Sequence, residues 1–182
     1  MSDLDRTGRR RLLMMGLAGA ATLLATPVLA ALPKRGARSL SFHHLHTGEN
    51  LRVDYWVDGD YVPGALASLN HLLRDFRTQR QVEIDPKLFD LLHALHGRLD
   101  TAAPFQIISG YRSPATNAML HRVSSGVASH SLHMDGMAID ISLANRGTAD
   151  VYRAARSLKA GGVGNYPKSG FVHVDTGRVR YW

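Results

Sequence analysis

The residue that most restricts the fold is Asp140, a carboxylate between Ile139 and Ile141 in residues 137–142, which otherwise read as a buried strand. A charge in an apolar strand is costly unless it is paired or binds a metal. The chain must therefore fold so that suitable partners reach that strand.

Two partners are visible. His133 sits at a loop-to-strand junction in Ser131-x-His133-x-x-Gly136-x-Ala138-x-Asp140, and the turn at Asp135-Gly136 can aim it at the same point as Asp140. His173 alternates with Val172 and Val174 in Phe171-Val172-His173-Val174-Asp175, so it projects from one face of its strand. Catalytic zinc takes three ligands from His, Asp and Glu and keeps a fourth position for water. If the two strands are neighbours, His133, Asp140 and His173 supply such a set. Spacing alone also allows the plainer reading, in which a histidine is a surface or satisfied core residue. His43, His44, His46, His71, His93, His96 and His121 are assigned to that class.

The rest of the pattern predicts an α+β fold. Residues 39–45 and 51–57 read as short strands around His46-Thr47-Gly48-Glu49-Asn50. Pro63 opens a helix expected to reach about Gln79, with Leu66, Leu69, Leu72, Leu73 and Phe76 inside and Arg74, Asp75 and Arg77 facing water. Asp85-Pro86, an acceptor cap before a first-turn proline, starts a helix to about Leu99. A strand over 105–108, a helix over 114–121 and an ordered loop over 122–132 follow. A helix over 148–159 is stopped by Gly161-Gly162, and residues 162–165 and 171–174 form a final hairpin. The expected architecture is a small, mainly antiparallel sheet with helices packed on it and the metal site on the sheet.

Residues 1–30 stand outside this plan. Arg9, Arg10 and Arg11 precede an apolar run over residues 12–24, and Val28 and Ala30 place small residues at a cleavage site. This is the pattern of an export signal. Gly8-Arg9-Arg10-Arg11-Leu12-Leu13 resembles the twin-arginine address. The apolar run is interrupted by Gly16 and Gly19 and is short for a membrane span. The expected organisation is an export signal over 1–30, a linker over 31–38 and a single domain over 39–182. The destination is the periplasm, with the membrane met only in passing.

Cysteine is absent, which excludes disulfides, a thiolate nucleophile, a cysteine metal ligand and a lipid-modified cysteine anchor. Without residues 1–30 the chain keeps 18 basic and 13 acidic residues, a net +5. A cationic surface favours polyanions. The charges are dispersed, with no aromatic-interleaved basic stripe, so an anionic wall or outer-membrane surface is favoured over nucleic acid. A monomer is the default expectation.

A third motif, Ser109-Gly110-Tyr111-Arg112-Ser113, follows the strand over 105–108. Together with the two histidine motifs, Leu45-His46-Thr47-Gly48-Glu49, Gly161-Gly162-Val163-Gly164, Thr176-Gly177 and Trp182, it resembles the murein endopeptidase K-like group of the LAS (lysostaphin, D-Ala-D-Ala metallopeptidase, sonic hedgehog) family of zinc peptidases. The resemblance covers most of residues 40–182. It implies Zn2+ held by His133, Asp140 and His173. It also implies hydrolysis of peptidoglycan cross-link peptides, in this group the L,D bond between two meso-diaminopimelate residues. D,D-carboxypeptidase or D,D-endopeptidase activity on the same core is the alternative, and a non-catalytic wall-binding module is another.

Arg112 lies in the phrase that related enzymes place beside the cleft, where its guanidinium can grip a carboxylate or polarise a carbonyl. Other branches of the family carry an acid three residues before the last histidine ligand; here that position is Gly170. Asp175, two residues after His173, is the substitute catalytic candidate, as base or proton donor or as an outer partner of a histidine ligand. His130 is a third candidate. Ser131 is read as orienting the loop, and Gly136 as adopting a backbone shape that a side chain would block.

Overall fold

The computed structural model describes residues 36–124 and 126–182. The expected export signal over 1–30 and the expected linker up to residue 35 lie outside the described residues. One eight-stranded sheet runs in the order β3-β2-β1-β4-β5-β7-β6-β8. Its strands are β1 (Ala37–His44), β2 (Asn50–Val57), β3 (Asp60–Tyr61), β4 (Phe105–Ser109), β5 (Ala138–Leu143), β6 (Gly162–Tyr166), β7 (Phe171–Asp175) and β8 (Arg180–Tyr181). Pairing is antiparallel except between β1 and β4 and between β6 and β8. The α+β architecture with a mainly antiparallel sheet is as expected. The two-residue strands β3 and β8 are additions, too short to carry a period. β1 begins at Ala37, inside the stretch read as linker.

Among the described residues four helices, α1 (Pro63–Leu72), α2 (Pro86–Leu99), α3 (Pro114–Val123) and α4 (Thr148–Leu158), interrupt the strands. Each of α1, α2 and α3 has proline in its first turn, where a missing N–H costs nothing. Asp85 caps α2 by accepting from the Lys87 N–H at 3.0 Å, and Ser113 caps α3 by accepting from the Thr116 N–H at 3.3 Å. α2 packs on β1 and on α4, and α4 packs on β5, β6 and β7. Ile139, Ile141, Val172 and Val174 join Val151 and Ala155 of α4 in the core. Because side chains alternate along a strand, the residues between them, Asp140 and His173, emerge on the opposite face.

α1 stops at Leu72 rather than near Gln79. Leu73 gives its carbonyl to the Tyr111 N–H at 2.8 Å. Asp75 and Arg74 do not face water as expected. Asp75 is buried and accepts from the Arg77 and Ser113 N–H groups at 3.0 and 2.9 Å, and Arg74 pairs with Glu49 at 3.0 Å. These tertiary bonds outcompete another helical turn. Among the described residues no helix is long and apolar enough to cross a membrane.

Candidate metal centre

β5 and β7 are neighbours, and their register sets Asp140 directly across from His173. His133 reaches the same point from a short 3-10 turn, Leu132–Asp135, that precedes β5. Ser131 opens that turn through its carbonyl, which accepts from the Met134 N–H at 2.8 Å. Gly136 ends it at φ 69°. A Cβ there would lie 2.5 Å from the Glu83 carbonyl oxygen, so glycine is required, as expected from the motif.

His133, Asp140 and His173 each offer one ligand atom, and the three atoms lie within 4.8 Å of one another. His133 Nε2 is 3.2 Å from Asp140 Oδ1 and 3.1 Å from His173 Nδ1. His173 Nδ1 is 2.9 Å from Asp140 Oδ1. All three residues are buried.

The opposite end of each side chain decides what those atoms can do. His133 Nδ1 is 2.7 Å from the Gly110 carbonyl; a carbonyl only accepts, so Nδ1 carries the hydrogen and Nε2 is bare. His173 Nε2 is 2.9 Å from Asp175 Oδ2, so in the neutral imidazole, the form that binds a metal, its Nδ1 is bare. Asp140 Oδ2 accepts from Arg112 Nη2 at 2.7 Å, leaving Oδ1 to the centre. Three acceptors thus converge, two of them nitrogens whose lone pairs face each other. Such a set is repulsive until a cation lies among them, and its N, N, O composition suits zinc. The residues present therefore fit the metal.

Electrostatics agree. Burial pushes the His133 imidazole down, outweighing Asp140, and keeps it neutral. Burial works against charge on His173 as well, but hydrogen bonds to Asp140 and Asp175 push its pKa up. The field that favours a proton there favours a metal cation equally. Burial alone would raise the Asp140 carboxyl, yet His133 and His173 hold it well below the usual carboxylate range.

The centre lies at one side of a cleft of about 440 Å³ lined by Arg112, Asp140, His173, Arg180, Tyr166, Phe171 and Trp182, and by Ser124, Gly126, Val127, Ala128, His130, Ser131 and Leu132 of the adjoining loop. Arg112 is held in place by donating from Nε to Ser109 Oγ at 3.0 Å. Asp175 is fully buried and does not line the cleft. It accepts from His173, from Arg180 Nη2 at 2.8 Å and from the Gly162 and Gly177 N–H groups at 3.0 and 2.9 Å. Of its two expected roles, this geometry suits the outer partner of His173, with no open oxygen for water. His130 is exposed on the cleft loop, with Nε2 3.6 Å from Asp135 Oδ2.

Gly170 has φ 75° at the hairpin tip and borders a small hollow beside Val172, away from the centre. Its neighbours Ser169 and Phe171 face the cleft instead. Gly170 itself does not line the cleft. Arg180, which completes the Asp175 cluster, and the Gly110 carbonyl, which orients His133, were not singled out by sequence. Neither carries a local signal, because each acts through a partner distant in the fold.

Comparison with known proteins follows the geometry. Residues 33–182 match the M15-type peptidase family model described as peptidoglycan L,D-endopeptidase MepK. The chain is 43% identical over 182 residues to the peptidoglycan L,D-endopeptidase MepK of Escherichia coli (strain K12), covering 100% of both chains. It is 39% identical over 183 residues to the probable peptidoglycan L,D-endopeptidase MepK of Haemophilus influenzae, covering 100% of this chain and 98% of that one. A crystal structure of the Serratia marcescens L-Ala D-Glu endopeptidase ChiX matches 42% of this chain and 62% of its own at 21% identity and a TM-score of 0.33. With its family match spanning the described domain and its relatives matched end to end, the chain belongs to the MepK family of M15-type peptidases and is a hydrolase.

Proposed function

We propose that this chain is a zinc-dependent murein endopeptidase of the periplasm. It hydrolyses peptidoglycan cross-link peptides at the L,D bond between two meso-diaminopimelate residues. The observation that carries the reading is the convergence of three bare acceptor atoms, from His133, Asp140 and His173, beside an open cleft. The names of the 43% and 39% identical relatives support the L,D assignment. The signal over 1–30 supports export by the twin-arginine route.

When bound by these three residues, zinc supplies a Lewis acid that polarises a carbonyl and makes water acidic enough to attack near neutral pH. The chain's own residues do the remainder. Gly110 and Asp175 fix the two imidazoles by their outer nitrogens, so that rotation does not spoil the set. Arg112 holds Asp140 by one nitrogen. Its Nη1 makes no hydrogen bond among the described residues and is available to grip a carboxylate of the peptide in the cleft.

Residues 31–182, purified with zinc, are expected to release monomers from sacculi that contain both L,D and D,D cross-links, with L,D dimers disappearing first and a chelator abolishing release. Disappearance of D,D dimers alone would establish the D,D alternative. Unchanged profiles for both cross-links, with tight binding to sacculi, would establish a wall-binding module.

A further inference from the structure

The run Gly161-Gly162-Val163-Gly164 and the distant Trp182 have no part in the metal set, yet the fold brings them to its edge. Gly164 pairs with His173 across β6 and β7, next in the row that holds Asp140 and His173. A Cβ on Gly164 would lie 2.5 Å from Trp182 Cε2 and 2.6 Å from Nε1. Glycine thus clears a seat for the indole against β6, its ring 5.3 Å from that of His173 and tilted 46° to it. The seat is pinned by backbone. The Trp182 N–H donates to the Val163 carbonyl at 3.2 Å, and the Asn165 N–H donates to the Trp182 carbonyl oxygen at 2.9 Å.

The indole in turn directs a hydroxyl. Trp182 Nε1 is 2.8 Å from Tyr166 Oη. An indole N–H only donates, so the phenol must accept. Tyr166 is stacked on Phe171 at 4.7 Å, which fixes the ring, and it lines the same cleft as Asp140 and His173. With its oxygen committed as acceptor, the phenolic O–H is left to donate, and among the described residues it has no protein acceptor.

We propose that Tyr166 is a catalytic hydrogen-bond donor, oriented by Trp182, that binds the carbonyl oxygen of the scissile peptide bond. As water adds to the carbonyl carbon, one of its protons passes to bulk solvent and the electron pair of the C=O bond moves to oxygen. The Tyr166 O–H shortens its hydrogen bond to that oxygen, and the proton stays on the phenol. Trp182 strengthens the donor by drawing on the same oxygen from the other side, since chained hydrogen bonds polarise one another. Such a donor acts mainly in the transition state. This inference rests on the hydrolase reading above.

Tyr166→Phe keeps the stacked ring and removes only the hydroxyl. In the zinc-loaded enzyme acting on cross-linked muropeptide dimers, its kcat is expected to fall about 10²-fold with KM changed less than about 3-fold, the pattern of a lost oxyanion donor. Calorimetric binding of a phosphinate analogue of the dipeptide, which carries the tetrahedral oxygen, is expected to weaken by a similar factor, at unchanged zinc content and thermal midpoint. Trp182→Phe retains a ring over His173 but no N–H, and should lose less than Tyr166→Phe. Full kcat in Tyr166→Phe, or a loss confined to KM with phosphinate affinity intact, overturns the proposal. A wild-type enzyme that cuts neither cross-link refutes the hydrolase reading instead, and a cutting wild type beside an equally fast Tyr166→Phe refutes Tyr166 alone.

Discussion

At the scale of single residues, the proposed metal site is held by what stands behind its candidate ligands. Asp175 is buried with its charge shared among His173, Arg180 and two backbone N–H groups, and these bonds outweigh its burial and keep its pKa well below the usual range. Asp175→Asn keeps the shape and removes the charge. Outer partners of this kind change metal affinity about 10- to 100-fold, so chelator competition should show a loss in that range. A variant that binds zinc as wild type but does not turn over would make Asp175 the base instead. Two further buried groups predict acid sensitivity of the metal-free fold. His44 is fully buried, with Nε2 unpartnered, and desolvation lowers its pKa to about 4. The unfolded chain therefore takes up this proton first, and stability falls as pH drops from about 6.5 towards 4. Burial would raise Asp75, but donors from Ser113, Thr116 and Arg77 lower it to about 2. Its contribution is present above about pH 4 and is lost as pH falls towards 2. Denaturant midpoints against pH should show both limbs, with His44→Gln flattening the upper one and Asp75→Asn the lower. Asp140 was legible in the sequence because a charge inside an apolar strand has few explanations. Asp75, in a stretch that reads as amphipathic helix, looked like any solvated acid.

At the scale of elements, α3 serves the cleft more than the core. Its Asn117, buried and one turn before His121, donates from Nδ2 to the Ala128 and Ser129 carbonyls at 3.0 and 3.1 Å. His121 Nδ1 donates to the Val127 carbonyl at 2.6 Å. The two side chains, four residues apart on one helix face, hold the loop that forms one wall of the cleft. Asn117→Ala frees two carbonyls, about 1–2 kcal/mol of loop ordering. The expected result is roughly a 10-fold rise in KM for muropeptide dimers, with zinc content unchanged, read from steady-state kinetics and metal analysis. The helix was visible from Pro114 and its cap Ser113. The grip was not, because residues 127–129 lie in a stretch without a period and are held by bonds to α3.

At the scale of the whole molecule, the centre joins a turn and its following strand to a second strand that only the fold brings alongside. His133 comes from a turn, Asp140 from β5 and His173 from β7, and Gly110 and Asp175 tether them from further elements. A metal held only by the folded arrangement stabilises the fold by mass action, about 2.7 kcal/mol at 100 times its Kd. For a domain of this size that is roughly 5–10 °C in midpoint. Differential scanning calorimetry should show the midpoint fall by that amount on chelation and recover with zinc. The same treatment of His133→Ala should show no zinc-dependent gain.

The sequence by itself determined the α+β class, the helix starts at Pro63, Asp85-Pro86 and Ser113-Pro114 and the strand faces, and it marked His133, Asp140 and His173 as candidates. Each is written in neighbours: a cap, a proline, or an alternation of apolar and polar residues. Only the tertiary structure decided the end of α1, the order of the sheet, the grip of α3 on the cleft loop and the seat of Trp182 on Gly164. These depend on hydrogen bonds and close approach between residues far apart in the chain. Their energies arise only when the chain has folded, so no local pattern records them.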